Sequence, residues 1–577
     1  MKYSSMKFAN LEDLHSGDLF KEGPYRSIRE MLERVARLVP DSPIFRELDG
    51  ERRIVEYTAK DLYDEVCTLG DGLLASGFGG KHIAICATNS CRYLFCEMAI
   101  STGVGVAIPV DRDASAELLA TLLSKCDADA VICSEDCLPR IVEAAASCPR
   151  LKDIITIDRR AQGYQCYNDI IAAGRAPSAR GAYRKLEQDL SAPAKILFTS
   201  GTTGINKGVV LTGANLAANM MNCIRSLEVM VGENTSMSVL PMHHATEINT
   251  HIMARVATGD VTYINDSMRS MMNNIRVFQP TVITVVPMIA NAFYKNIWLN
   301  AKKQGKEEKL RKGIKLSNFL RRFGIDITHK LFKDIYVNFG GKLKMIVCGG
   351  SMLNPVVVKG LNDIGIRIEN GYGITECGPL ISINSNTLRD HLSVGRPCSG
   401  LEARIADPDE DGVGELCIRG KSVAAGYYND PEATRAAFGE DGFFNTGDSA
   451  RMDKDGRIFL VGRKKNTIVL QNGKNVCPEE VENVFESALP YANDIVVYQA
   501  EYKGNEMLCM GLYIEDEAKR ADRKAIASDI AAVNAGLPPY KRIDYVELAE
   551  TAYPRTSTRK IKRDGLPKSC SATGFTI

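Results

Sequence analysis

The stretch Ser200-Gly201-Thr202-Thr203-Gly204-Ile205-Asn206-Lys207-Gly208 decides how the rest of the chain is read. An apolar run, Ile196-Leu197-Phe198, leads into it, and a second, Val209-Val210-Leu211, follows. That pattern spells strand, polar loop, strand. Glycines let backbone N–H groups turn toward an anion, and threonine hydroxyls with the Lys207 ammonium add donors, so the loop has the composition of a phosphate cradle. A nucleoside-triphosphatase P-loop requires G-x-x-x-x-G-K-[ST] before a helix. Counted from Gly201, the sixth position is Asn206 and Lys207 is followed by Gly208, so both defining positions fail.

On either side of the loop the chain alternates helical and strand patterns. Ile28, Met31, Leu32, Val35 and Leu38 repeat at helical spacing, as do Leu62, Val66, Leu69 and Leu73. His82-Ile83-Ala84-Ile85-Cys86, Ala130-Val131-Ile132-Cys133, Thr281 to Val286 and Leu343 to Cys348 read as buried strands. Such alternation predicts parallel strands with crossover helices. Between Ser393 and Leu460 strands are short and Asp-Gly turns frequent, which predicts a β-rich subdomain. Beyond Arg463 a compact α+β unit is expected, with a helix from Pro478 to Leu489. The polar stretch Ala172 to Ser191 reads as surface chain, and Gly565 to Ile577 as a fraying end.

With 577 residues the chain is too long for one core. Its formal net charge of +1 and the lack of a basic, aromatic-rich module argue against a nucleic-acid partner. The seventeen cysteines are scattered without C-x-x-C pairs, which points to buried reduced thiols rather than zinc. Neither a secretory signal at the N-terminus nor an apolar run long enough to span a bilayer is evident, so a cytoplasmic location is expected. From Ala301 to Phe323, nine Lys or Arg accompany two Glu, with Leu310, Ile314, Leu316, Phe319 and Leu320 interleaved. Two readings stay open there: peripheral contact with an anionic membrane through 301–323, or a solvated insertion docked by its apolar side.

Ile196 to Thr212 resembles the phosphate loop of the adenylate-forming superfamily of acyl-CoA synthetases, luciferases and peptide-synthetase adenylation domains. Further segments resemble that family's signatures in the right order: Leu240-Pro241-Met242-His243-His244, Asn370 to Pro379, Asn445-Thr446-Gly447-Asp448, Gly462-Arg463-Lys464-Lys465, Asn475 to Glu482, and Pro554 to Lys560. The basic insertion resembles the long-chain fatty acyl-CoA synthetase branch.

The resemblance implies an α/β fold: a large N-terminal domain, 1–462, of stacked α/β subdomains plus a small β-barrel-like one, and a small mobile α+β domain, 463–577. It implies activation of a carboxylic acid by ATP to an acyl-AMP, with Mg²⁺, and then thioester formation with CoA. The same fold serves ligases that load an acyl carrier protein, and inactive relatives that only bind. By the same resemblance Thr199, Ser200, Gly201, Thr202, Thr203, Gly204 and Lys207 hold the β- and γ-phosphates, Glu376 ligates Mg²⁺ and Thr375 reaches phosphate. Tyr372 stacks on adenine with Gly349, Gly350 and Ser351 walling its edge, Asn370, Gly371 and Gly373 belong to the same ATP- and AMP-binding set, and Asp448 and Arg463 hold the ribose. His244 lines the acyl and pantetheine passage, Lys465 is the hinge, Gly473 flanks the CoA tunnel, and Lys560 bridges the reacting carboxylate and α-phosphate. Three departures stand out: Thr558 and Arg559 where Ser and Gly are common, and Asn466 in place of a more usual acidic residue.

Overall fold

A computed structural model describes residues 18–199, 207–226, 234–350, 353–384, 391–470, 474–555, 561–571 and 573–577. The chain forms two compact units: Met1–Leu353, Val357–Glu402 and Ile418–Phe444 in the first, and Asn354–Val356, Ala403–Cys417 and Asn445–Ile577 in the second. The architecture is mixed α/β with several sheets, as the alternation of patterns predicts.

Two large sheets organise the first unit. One has eight strands in the order Gly426–Tyr427, Lys207–Thr212, Pro193–Thr199, Val106–Pro109, His82–Cys86, Ala130–Cys133, Asp153–Thr156, Gln165–Cys166. Its central strands are parallel, with Ile83 opposite both Ala107 and Ala130. Those strands are continuous apolar runs because helices cover both faces, so no solvent side demands alternation. Nine strands form the other sheet, whose parallel centre is Thr235–Ser238, Val282–Val285, Met345–Cys348 and Arg367–Gly373.

Helices pack closely where side chains are missing. A Cβ on Gly72 in the helix Ala59–Ala75 would lie 2.0 Å from the Ile170 carbonyl, and one on Gly174 in Tyr167–Arg175 2.0 Å from that of Thr68. The two backbones therefore touch at a glycine contributed by each helix. Thr58 starts the longer helix with a capping box shared with Asp61, satisfying donors left over at the helix N-terminus. The basic segment forms two helices, Pro287–Lys303 and Glu307–Arg321, the second burying Leu310, Gly313 and Ser317.

One expectation is refined and another overturned. The polar stretch after Ala172 runs largely at the surface but is anchored: Tyr183 is buried, its hydroxyl bonded to Thr102 and its ring under the Arg29 guanidinium at 4.3 Å. Asp71 accepts from the Gly181 and Tyr183 backbone N–H groups, both at 2.7 Å. One aromatic ring in a polar stretch has no periodicity to announce it. The chain end does not fray either: Phe575–Thr576 pairs antiparallel with Tyr545–Ala549, and Cys570 donates its N–H to the Glu501 carbonyl at 2.9 Å. A two-residue strand is too short to show as a pattern.

A four-stranded sheet, Leu401–Ala406, Gly414–Gly420, Phe444–Met452, Ile458–Arg463, belongs largely to the second unit. The unit's other four-stranded sheet runs Asp494–Tyr502, Asn505–Tyr513, Tyr545–Ala549, Phe575–Thr576. Val481 and Phe485 of the helix Pro478–Ala488, with Ile526 and Ile530 of Arg523–Asn534, pack on its Val497, Met510 and Leu512. All seventeen cysteines are free thiols and sixteen are buried. No helix among the described residues is long and apolar enough to cross a membrane.

Candidate active site

The strands on either side of the glycine-rich stretch form an antiparallel hairpin. Pro193–Thr199 and Lys207–Thr212 pair with Thr199 opposite Lys207, so the two residues flanking the loop face each other across the ladder. Ser200, Gly201, Thr202, Thr203 and Gly204 lie outside the described residues, as do Ser351, Gly473 and Lys560.

A third, two-residue strand extends this hairpin. Gly426–Tyr427 pairs antiparallel with it, Tyr427 opposite Val209. Two contacts make Tyr427 the centre of the site. Its ring carries the Lys207 ammonium at 4.8 Å from the centroid, and its hydroxyl donates to Glu376 Oε1 at 2.9 Å. Burial first, and the Glu376 carboxylate second, push the Tyr427 pKa far up, so the hydroxyl stays protonated and stays a donor. Glu376 sits in the short turn Thr375–Cys377, which follows the strand Arg367–Gly373; its carbonyl accepts from the Ala424 N–H at 2.8 Å. The hairpin and the Thr375-Glu376 turn are thus tied through a residue that sequence reasoning missed. Its signal was a bare Gly426-Tyr427 pair just before the Asp430-Pro431 helix start.

The turn is fixed from below as well. Asn219, on the helix Gly213–Ser226 that leaves the hairpin, accepts from the Leu380 N–H at 3.0 Å and donates to the Asn249 carbonyl at 2.9 Å. Asn249 donates to the Gly378 carbonyl at 3.3 Å and accepts from Lys195 Nζ at 2.7 Å. Lys195 lies on the strand that leads into the loop and forms an ion pair with Glu97; both side chains are buried. A buried polar chain, Glu97–Lys195–Asn249, therefore reaches the residue two positions after Glu376.

Of the predicted adenine-pocket residues, Gly349 and Gly350 end the strand Met345–Cys348, whose Cys348 pairs with Asn370 on the neighbouring Arg367–Gly373. This places Gly349 and Asn370 to Gly373 on adjacent strand ends, the usual ligand position in an open parallel sheet. Gly350 has φ +94°, a conformation that favours glycine, and a Cβ on Gly373 would stand 2.3 Å from the Pro379 carbonyl. Tyr372 is buried. Asn370 Oδ1 is buried with no hydrogen-bond partner among the described residues.

His243 and His244 form a tilted pair with ring centroids 4.1 Å apart, in a turn held by Asn89, which bonds the Leu240 carbonyl at 2.8 Å and the Met242 N–H at 3.0 Å. Burial lowers the His243 pKa to about 4, so that ring is neutral at pH 7.

In the second unit the two predicted ribose ligands meet. Asp448 lies opposite Arg463 in the antiparallel pair Phe444–Met452 and Ile458–Arg463, and Arg463 Nε is 2.8 Å from Asp448 Oδ1. Lys464 next to it pairs with Glu415 at 2.7 Å, and Lys464 to Asn466, including the predicted hinge Lys465, form a short helical turn. Asn466 now has a physical account. Its amide donates to Glu479 Oε1 at 2.6 Å, so a carboxylate at 466 would face a second carboxylate at hydrogen-bond distance.

Residues 32–428 match the AMP-binding enzyme family, well over half of the chain. The chain belongs to the AMP-binding enzyme family. Curated relatives of this AMP-binding enzyme include long-chain-fatty-acid–CoA ligase 1 of Cavia porcellus, 25% identical over 82% of this chain and 72% of that protein. Long-chain-fatty-acid–CoA ligase 5 of Rattus norvegicus is 28% identical over 81% of this chain and 72% of that protein. The chloroplastic long-chain-fatty-acid–[acyl-carrier-protein] ligase AEE15 of Arabidopsis thaliana is 28% identical over 81% and 74%. Among solved structures, the anthranilate CoA ligase AuaEII with anthranoyl-AMP superposes with a TM-score of 0.76 at 18% identity, covering 94% of this chain and 96% of that one. ATP-bound MatB of Rhodopseudomonas palustris gives 0.73 at 20% identity, covering 93% and 97%. Those likenesses establish that the AMP-binding enzyme has their fold, in both its large and its small part.

Proposed function

We propose that this chain is an acid–CoA ligase: it joins a medium- or long-chain fatty acid to AMP with release of pyrophosphate, then transfers the acyl group to the CoA thiol. The observation that carries this reading is the Lys207–Tyr427–Glu376 arrangement, a cation, a protonated hydroxyl and a carboxylate gathered beside the strand ends that flank the proposed phosphate loop. The choice of acid draws on the fatty-acid ligases among the relatives.

Each group has work in that chemistry. A carboxylate attacking the α-phosphorus drives charge onto the leaving pyrophosphate, which donors of the loop from Thr199 to Lys207 receive. With Oε1 held by Tyr427, Glu376 would hold Mg²⁺ through its other oxygen, a hard donor that suits this ion. Bound there, Mg²⁺ supplies charge neutralisation at the phosphates. The unsatisfied Asn370 Oδ1 suits the exocyclic amine of adenine, since a buried acceptor without a donor is costly. Asp448 takes the ribose hydroxyls with Arg463 beside it, and His244 lines the acyl passage. By its motif, Lys560 neutralises the carboxylate and α-phosphate, and rotation at Lys465 then exchanges it for the thiol entrance beside Gly473.

A second acceptor is favoured by one comparison: the AEE15 relative is named as an acyl-carrier-protein ligase. The test is to incubate purified protein with ATP, Mg²⁺ and a panel of acids, scoring acyl-AMP and then thioester. Thioester with CoA is the expected result. Acyl-AMP that persists with CoA and clears with a phosphopantetheinyl carrier protein selects the second acceptor. No pyrophosphate release with any acid refutes both.

A further inference from the structure

The helix Glu307–Arg321 has a second apolar face that none of the described residues covers. Its inner face buries Leu310, Gly313 and Ser317 against the body of the first unit. On the outer face Leu316 is 49% exposed and Phe319 56%, and just past the helix end Phe323 is 67% and Ile325 51% exposed. Residues 312, 316 and 319 follow helical spacing, so these side chains share one stripe pointing away from the core, and Phe323 meets it just past the helix end. Phe319 and Phe323 touch edge to face, centroids 5.2 Å apart, forming one aromatic knob.

Cations lie in and beside the same stripe. Lys309, Lys312, Lys315 and Arg322 are all exposed. Lys312 has a loose partner in Glu308 at 3.4 Å, while Lys309, Lys315 and Arg322 make no ion pair among the described residues. Arg311, by contrast, is turned aside onto Glu307 and the Trp298 ring. Single exposed apolar residues need no explanation, but four large ones in one run do. Unpaired lysines among them argue against an apolar protein partner, which would have to bury the charges without compensation.

We propose that this face seats on an anionic lipid bilayer, with the Phe319–Phe323 knob in the headgroup and acyl boundary and Lys309, Lys315 and Arg322 on lipid phosphates. An amphipathic helix lying in the interface has this combination of inserted aromatic rings and flanking cations. Lysine and arginine stems lie along the apolar surface while their heads reach the phosphates. The proposal stands independently of which acid the enzyme activates.

The test is flotation of the full chain with vesicles of phosphatidylcholine, and of phosphatidylcholine with 30% phosphatidylglycerol (about one anionic lipid in three, the kind of surface that attracts basic segments). Binding to the anionic vesicles that weakens with salt is expected, with little on the neutral ones. The K309Q/K315Q variant is expected to bind about 30-fold more weakly, from the usual contribution of each cation near such a surface. F319S/F323S is expected to lose about tenfold or more from reduced apolar insertion. Both variants alter exposed side chains only, so melting temperature and lipid-free ligase activity are expected to match the parent. The proposal is overturned if the parent does not float, if both variants bind as the parent does, or if the patch instead drives self-association that F319S/F323S abolishes.

Discussion

Replacing Tyr427 by Phe removes one oxygen atom from the site and leaves the rest of the side chain. The ring keeps its place beneath Lys207 and its edge contact with Phe438, 5.7 Å between centroids, and the Gly426–Tyr427 pairing involves only backbone. What disappears is the 2.9 Å bond to Glu376 Oε1. A hydrogen bond to a charged group contributes about 1.5–3 kcal/mol. Here its loss frees the carboxylate to rotate away from the orientation in which Glu376 is proposed to hold Mg²⁺. Removing a comparable outer partner of a metal ligand typically costs about 10–100-fold in metal affinity. Pyrophosphate release measured against Mg²⁺ concentration at saturating ATP and acid is therefore expected to show half-saturation shifted up by about 10-fold or more. Thermal unfolding is expected to stay within a few degrees, as the packing is retained. A Mg²⁺ half-saturation within about twofold of the parent, against the tenfold minimum above, would refute the positioning role. So would a collapse in melting temperature, because it would make the hydroxyl a structural group.

Two further predictions concern buried charge. Glu97→Gln leaves the Lys195 ammonium buried without its carboxylate and is expected to destabilise the protein by about 3–5 kcal/mol, while Glu97→Gln with Lys195→Met recovers much of that loss; chemical denaturation checks both. For His243 the folded pKa of about 4 lies below the ordinary 6.5, so the unfolded chain binds the proton first as pH falls. The stability it contributes is present above pH 6.5 and is lost between 6.5 and about 4, to a total of roughly 3 kcal/mol; unfolding across that window is expected to be flatter in His243→Gln.

What was legible in the sequence follows the reach of each interaction. Asp448 and Arg463 stand on neighbouring strands of one hairpin with the Asp455-Gly456 turn between them, so local pattern and motif agree on where they are. The hairpin 193–212 is likewise a local object, apolar runs on both sides of a polar stretch. Tyr427 and Glu376 are 51 residues apart, and no periodicity links them; only the pairing of a two-residue strand with Lys207–Thr212 brings the hydroxyl to the carboxylate. Tyr183 and the terminal strand escaped for the related reason that a single ring or a two-residue ladder leaves no repeating trace. Asn466 was visible as a departure and became intelligible only with Glu479 in place beside it.

The Glu97–Lys195–Asn249 chain has a consequence for how this sequence can drift. Each of the three answers a charge or a lone pair on another, and all three side chains are buried. In a randomised library selected for folding, these positions would not vary singly. Survivors would keep the trio or replace the acid and the lysine together, leaving a double-mutant signature that marks a link between two parts of the site before any substrate is known.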